Sequence, residues 1–237
     1  MSDESVRQIQ FYQTTPHPCS YLDDQSAVTA FVDPETIIST GTYEKLSHLG
    51  FRRSGSYLYK PICAQCNACI PVRLPTAHFS PSKTQKRCLK RNQDLSVELK
   101  KHMDLEQHYP LYAEYISTRH VDGDMFPPSE NQFLEFINNK RDETQFLEFR
   151  LEGSLIACAV MDILPRSLSA IYTYYDPHAT NRSLGKFAIL YQIELAKQMK
   201  LDHVYLGYWI KDSQKMNYKA DYRPMEIFNK NMWNLIE

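Results

Sequence analysis

Cys63-Ala-Gln-Cys66-Asn-Ala-Cys69 sets three thiols two residues apart, and a fourth, Cys19, stands far upstream beside Pro18. Two-residue gaps let the chain curl and return successive sulfurs to one point, so Cys19, Cys63, Cys66 and Cys69 are candidate ligands of one metal site. Zinc and an iron–sulfur cluster both accept four thiolates, and the spacing does not choose between them. Reduced thiols packed without metal are the plain alternative. A second constellation is cationic. Lys83, Lys86, Arg87, Lys90 and Arg91 fall in the run KTQKRCLKR, which holds no anion. Such a run is a candidate phosphate-binding strip, or else a solvated helix face. Cys158, inside the apolar string Ile-Ala-Cys-Ala-Val, reads as a small core residue. No His-Glu-x-x-His, Walker loop or Gly-x-Ser-x-Gly elbow occurs, so Walker-type ATP hydrolysis and serine-hydrolase chemistry are set aside.

The elements that must position these groups share 237 residues, room for one large domain or two small ones at roughly 150 residues each. With 43% hydrophobic and 23% charged residues, the chain has the composition of a folded globule and not of a disordered one. Its net charge of -1 means that any attraction to nucleic acid is local to the basic run. The acidic, polar start Met1-Ser-Asp-Glu-Ser-Val-Arg carries no secretory pattern. No uncharged apolar run approaches the ~18 residues of a membrane helix, so the expectation is a soluble cytoplasmic protein with no membrane partner. Short helices are expected over 42–49 and 80–92, brief strands over 56–60, 70–74 and 96–100, and helical spacing recurs over 105–119 and around Phe133, Phe136 and Ile137. Beyond residue 144 the pattern changes: strands at 144–151 and 155–164 joined as a hairpin, a strand at 169–175, an amphipathic helix at 183–199 capped by Ser183, and a strand at 203–206. The expected division is 1–102, with the cysteines and the basic strip, and 103–237.

Strand, strand, strand, helix, strand resembles the core of the GNAT acyltransferases. Arg182-Ser-Leu-Gly185-Lys-Phe187, at the start of the helix, resembles their pyrophosphate-binding turn, where backbone amides at a helix N-terminus hold coenzyme A. Phe187 stands where that turn has a small residue, which argues against acetyl-CoA while leaving the fold reading intact. Six strings in order resemble a more specific family: Cys19-Ser-Tyr-Leu22; Gly50-Phe-Arg-Arg-Ser-Gly55; Tyr59-Lys-Pro-Ile-Cys63 through Cys69-Ile-Pro-Val-Arg73; Tyr174-Tyr-Asp-Pro177; Ser183-Leu-Gly185; and Tyr205-Leu-Gly-Tyr-Trp-Ile210 before Lys215-Met-Asn-Tyr-Lys219-Ala-Asp-Tyr222-Arg-Pro224. They resemble the aminoacyl-tRNA protein transferases, the family of the arginyl-tRNA protein transferases, and within it the compact bacterial branch of aspartate/glutamate leucyltransferases. The likeness runs from Cys19 to about Phe228.

The resemblance implies an α/β, GNAT-like acyltransferase fold with a mixed sheet flanked by helices and a cysteine-bearing N-terminal module. It implies an enzyme that moves leucine from leucyl-tRNA to proteins beginning with Asp or Glu in an N-degron pathway, without acetyl-CoA. An aminoacyl ester is already activated, and an α-amino group with pKa near about 8 needs little general-base help. The enzyme must supply proximity and stabilise a tetrahedral oxyanion. On that footing the basic strip contacts tRNA phosphates. Arg52 and Arg53, with Lys215 and Lys219 as second choices, hold the acidic acceptor side chain, which a guanidinium grips in bidentate fashion. Asp176 orients or deprotonates the acceptor amine, or Asp176-Pro177 is simply a turn; Tyr174, Tyr208 and Tyr218 are ring platforms for the terminal adenine of tRNA or oxyanion donors, with packing in the core as the plain alternative. No cofactor is required for transfer, with zinc or a cluster as an option on the thiols. The rivals are an arginyl-tRNA donor, a coenzyme-A-dependent N-acetyltransferase, and a non-enzymatic metal-knuckle RNA-binding protein.

Overall fold

The computed structural model describes residues 9–137 and 141–237; the polar N-terminal stretch that reads as carrying no leader lies outside them. Four short strands come first: β1 (Phe11–Gln13), β2 (His17–Pro18), β3 (Ser26–Ala27) and β4 (Thr29–Val32). Helix α1 (Thr40–His48) is capped by the Ser39 hydroxyl and leads to β5 (Arg52–Ser54), β6 (Tyr57–Pro61) and β7 (Ile70–Pro75). Helix α2 (Lys83–Arg91) opens on a capping box in which the Ser82 hydroxyl and the Gln85 side chain satisfy each other's backbone amides. There follow β8 (Ser96–Lys100), α3 (Leu105–Arg119), α4 (Glu130–Ile137), β9 (Thr144–Leu151), β10 (Ser154–Ile163) and β11 (Ser167–Tyr175). Helix α5 (Leu184–Gln198), β12 (His203–Trp209), a 3-10 turn over Asn217–Asp221, β13 (Met225–Asn229) and β14 (Met232–Ile236) complete the chain.

Eight strands form one mixed sheet in the order β14-β13-β7-β12-β11-β10-β9-β8. Strand alternation sorts its two faces. Ala157, Ala159 and Met161 of β10 pack with α5 and with Cys88 of α2, whereas Cys158 and Val160 pack with Tyr112 and Ile116 of α3 and Phe133 of α4. The mixed sheet flanked by helices is therefore the observed architecture, and β9-β10-β11-α5-β12 follows the order expected of a GNAT-like core. Within that order β11 and β12 run parallel and are joined across α5.

Three features depart from the sequence reading. β7 and β8, from the first 102 residues, lie inside the large sheet, so that sheet crosses the expected boundary at 102/103. A separate four-stranded sheet, β1-β4-β6-β5, holds the N-terminal segment, and β13–β14 form a hairpin at the other end. Ser183 begins α5 in the left-handed region (φ 55°) with no side-chain cap bond. The helix start is instead tied down from α2, where Asn92 Nδ2 donates to the Arg182 carbonyl at 2.9 Å.

Candidate active site

Strands β11 and β12 pair from Ser167↔His203 to Ser169↔Tyr205 and then part. Arg52 of β5 fills the fork. Its Nη2 donates to Ser169 Oγ at 3.1 Å and to the carbonyls of Ala170 and Tyr205 at 3.3 and 3.4 Å, and its guanidinium lies 5.5 Å from the Tyr205 ring centre. Arg52 is only 4% exposed, yet Nη1 has no hydrogen-bond partner. Lys219, in the 3-10 turn, is equally buried; its Nζ donates to the Tyr208 carbonyl at 2.5 Å and lies 3.4 Å from Met216 Sδ. Between the two cations is Gly207, at φ +84° in a β12 bulge; a Cβ there would stand 3.8 Å from Lys219 Nζ and 3.9 Å from Arg52 Nε. Both charged heads thus face one point above a residue with no side chain.

Among the described residues no carboxylate lies within ion-pair distance of either cation. Burial, and next the Arg52 charge, push the Lys219 pKa down to about 7, with Cys69 opposing. Two like charges without an anion are costly in a low-dielectric interior. A carboxylate arriving above Gly207 would relieve that cost.

The thiols border this point. Cys19, Cys63, Cys66 and Cys69 line one cavity of about 260 Å³ together with Tyr59 and Tyr208. Burial pushes the Cys69 thiol up to about 12, reinforced by the other three thiols, with Lys219 pulling the other way. The donor set suits a soft metal ion or a cluster in type. In position it does not: no group of three ligating side chains is arranged to hold an ion among the described residues. The thiols gather around one cavity without closing on a centre.

The basic strip occupies the exposed face of α2. Lys83, Lys86, Arg87, Lys90 and Arg91 are exposed, while Gln85 and Cys88 face inward. Arg91 donates to the Asn181 carbonyl, and none of the five has a carboxylate partner among the described residues. Gln85 Nε2 donates to the Asp221 carbonyl at 3.1 Å. That bond ties α2 directly to the turn carrying Lys219.

Other expected site residues are placed elsewhere. Arg53, next to Arg52 on a strand, points to the opposite face: its Nε and Nη2 grip Asp162 at 2.6 and 2.9 Å in full burial, where Tyr43 and Thr144 hydroxyls also donate. It is a structural clamp and not an acceptor ligand. Tyr174 is fully buried, with its hydroxyl 2.6 Å from His108 Nδ1 in a network continuing through Glu148 to Arg150, so it touches no substrate. The Tyr208 hydroxyl is committed to the carbonyls of Gly50 and Tyr59 at 2.8 and 3.3 Å, which removes it as an oxyanion donor. Lys215 is a surface cation paired with Asp122 at 2.8 Å. Asp176 Oδ1 accepts the His178 amide at 2.9 Å, a turn-capping role. Phe187 packs against Phe149 and Tyr191 in the buried core, so a large ring stands at the position where the pyrophosphate-binding turn has a small residue. Gly207 is the site residue that the sequence reading leaves out; a glycine inside a strand pattern, Tyr-Leu-Gly-Tyr-Trp, is the signal for a bulge or close approach.

Known proteins share this frame. Residues 107–229 match the family model described as "Arginine-tRNA-protein transferase, C terminus", and residues 17–87 match its N-terminal counterpart. The aspartate/glutamate leucyltransferase of Pseudomonas fluorescens is 51% identical over 231 residues, covering 98% of each chain. That of Saccharophagus degradans is 48% identical, over 96% of this chain and 97% of its own. A solved structure of a conserved protein of unknown function from Bacteroides thetaiotaomicron covers 66% of this chain and 55% of its own, with TM-score 0.50 and 10% identity, a likeness of fold alone. With two models of one family matched in order along it and nearly its whole length shared with those relatives, the chain belongs to the arginine-tRNA-protein transferase family.

Proposed function

We propose that this chain transfers leucine from leucyl-tRNA to the α-amino group of proteins whose first residue is Asp or Glu. The observation that carries the acceptor half is the pair of buried, anion-less cations, Arg52 and Lys219, facing each other over Gly207. A β- or γ-carboxylate seated there gains charge-assisted hydrogen bonds and restores the ordinary charge of Lys219. Its own α-amino group, a few bonds away, is then held near the β11–β12 fork. The neutral amine attacks the ester carbonyl of the aminoacyl-tRNA. The tetrahedral adduct collapses with loss of the terminal ribose hydroxyl, which takes the proton released by the amine. The principal contribution of the protein is placement.

The donor half rests on the α2 strip, whose five exposed cations suit phosphate contacts that position an RNA without reading its sequence, and on the leucyltransferase names of the relatives. Charged tRNA belongs to the translating cytoplasm, where a new N-terminal leucine would mark the acceptor for degradation in an N-degron pathway. Among the described residues no helix is long and apolar enough to cross a membrane. Cys19, Cys63, Cys66 and Cys69 are ligands of the type that a metal ion or cluster takes, but no step of the transfer is routed through one.

The test incubates the purified protein with individually charged tRNAs and with peptides beginning Asp, Glu, Lys or Ala. Leucine appearing on the Asp and Glu peptides alone supports the reading. Transfer of arginine instead would reassign the donor, and transfer to all four peptides would overturn the acceptor site.

A further inference from the structure

The ester of an aminoacyl-tRNA sits on the ribose of the last nucleoside, so the base of that nucleoside must lie beside the cation pair. An exposed tyrosine stands there. Tyr218, adjacent to Lys219 in the chain, keeps 44% of its surface exposed, and Lys219 Nζ lies 5.6 Å from its ring centre. Resting on the donor reading above, we propose that Tyr218 is the platform on which the terminal adenine of the donor tRNA stacks, between the phosphate strip of α2 and the Arg52–Lys219 pair.

The surroundings of Tyr218 fit a rigid stacking surface. Burial and then Tyr175 raise the pKa of its hydroxyl. Tyr175 is packed against Tyr115 at 4.7 Å between ring centres. Tyr115 is itself fixed by His120 Nε2, 3.1 Å from its hydroxyl. On the other side Tyr175 presses on α5 so closely that a Cβ on Gly185 would come within 3.1 Å of its ring. Tyr175 is thus itself fixed in an aromatic cluster, and Tyr218 sits in the short 3-10 turn Asn217–Asp221 that Gln85 anchors to α2.

Asp221 closes the turn that bears Tyr218 and Lys219, and it receives both Gln85 of α2 at 3.1 Å and Lys186 of α5 at 3.5 Å. The element carrying the basic strip is thus joined to the turn carrying Tyr218 and Lys219. The cysteine cavity is lined by Tyr208 and Cys69 and by neither Tyr218 nor Lys219. Stacking is indifferent to base identity, because every base has a π-face. This site accordingly contributes affinity and register at a terminal nucleoside that tRNAs share, and no selection among them.

The experiment compares deacylated tRNA ending in CCA with the same tRNA lacking its terminal adenosine. Binding is measured to wild-type protein and to Tyr218→Phe, Tyr218→Leu and Tyr218→Ala. Wild type and Tyr218→Phe are expected to favour the full-length end by about fivefold or more, and the Leu and Ala variants to bind both ends alike. In wild-type protein, 2-aminopurine at the terminal position should lose fluorescence on binding. Equal binding of the two ends by wild type, absence of that quenching, or unchanged discrimination in a folded Leu or Ala variant overturns the platform. Because binding is read without transfer, inactivity with leucyl-tRNA would overturn the proposed function and leave the platform result standing by itself.

Discussion

Replacing Lys219 by methionine keeps the length of the side chain and removes its charge. In the free protein, burial and Arg52 lower the pKa of this ammonium from 10.5 to about 7, a cost of about 5 kcal/mol at about 1.4 kcal/mol per pH unit. Loss of Nζ leaves the Tyr208 carbonyl without its donor, returning about 1–3 kcal/mol of that gain. Lys219→Met should therefore be more stable than wild type at pH 7 by about 2–4 kcal/mol, which for a chain of this size raises Tm by about 5–12 °C. Between pH 7 and 10.5 the unfolded chain holds the lysine proton that the folded chain has released, so wild-type stability rises with pH through this group. The advantage of the variant should shrink accordingly from pH 7 toward pH 10. The same change removes one charge-assisted hydrogen bond to the acceptor carboxylate, about 1.5–3 kcal/mol, and should lower kcat/KM for an Asp peptide about ten- to a hundredfold. Calorimetry across pH and steady-state kinetics read the two effects separately. A variant with lower Tm and unchanged peptide kinetics would refute the reasoning, since Lys219 would then be an ordinary structural lysine.

Three further outcomes are expected. Lys86→Glu combined with Lys90→Glu reverses two exposed charges on one face of α2, and should weaken tRNA binding and flatten its salt dependence by about one in slope for each phosphate no longer neutralised; an unchanged slope would identify the strip as a solvated face. Arg53→Ala strands the fully buried Asp162 carboxylate and should destabilise the fold by about 3–5 kcal/mol, with the preference for Asp over Asn acceptors retained in folded protein; abolition of that preference at wild-type stability would return Arg53 to the acceptor site. Cys69, with its thiol pushed up to about 12, has little thiolate at pH 8 and should react with iodoacetamide at least about tenfold more slowly than a small free thiol in the same buffer. Mass-spectrometric mapping that finds it labelled at the rate of a free thiol would contradict the assigned environment.

Local signals made much of the fold legible. The helix over 80–92, the Glu152-Gly153 turn of the β9–β10 hairpin and the apolar periodicity of α3 and α5 are each written within a short stretch of chain. Long-range pairing was not legible: β7 reads as an isolated strand, and nothing nearby shows that it lies between β12 and β13. The candidate site divides the same way. The Arg52-Arg53 pair and Lys219 declare a carboxylate-binding chemistry by type. Adjacent residues on a strand face opposite ways, so which arginine reaches the fork depends on how β5 is placed against the large sheet. Exposure explains the tyrosines likewise: sixteen are available, and only tertiary packing separates buried Tyr174 from open Tyr218.

The central claim, that two buried cations over Gly207 receive the acidic side chain of the acceptor, is tested most directly by one ratio. It is kcat/KM for leucine transfer to a peptide beginning with Asp, divided by that for the same peptide beginning with Asn, measured in wild type and in Lys219→Met. The wild-type ratio should be well above ten and should fall at least about tenfold in the variant, in line with removal of one charge-assisted hydrogen bond. A ratio near one in wild type, or one that Lys219→Met leaves unaltered, would contradict the claim.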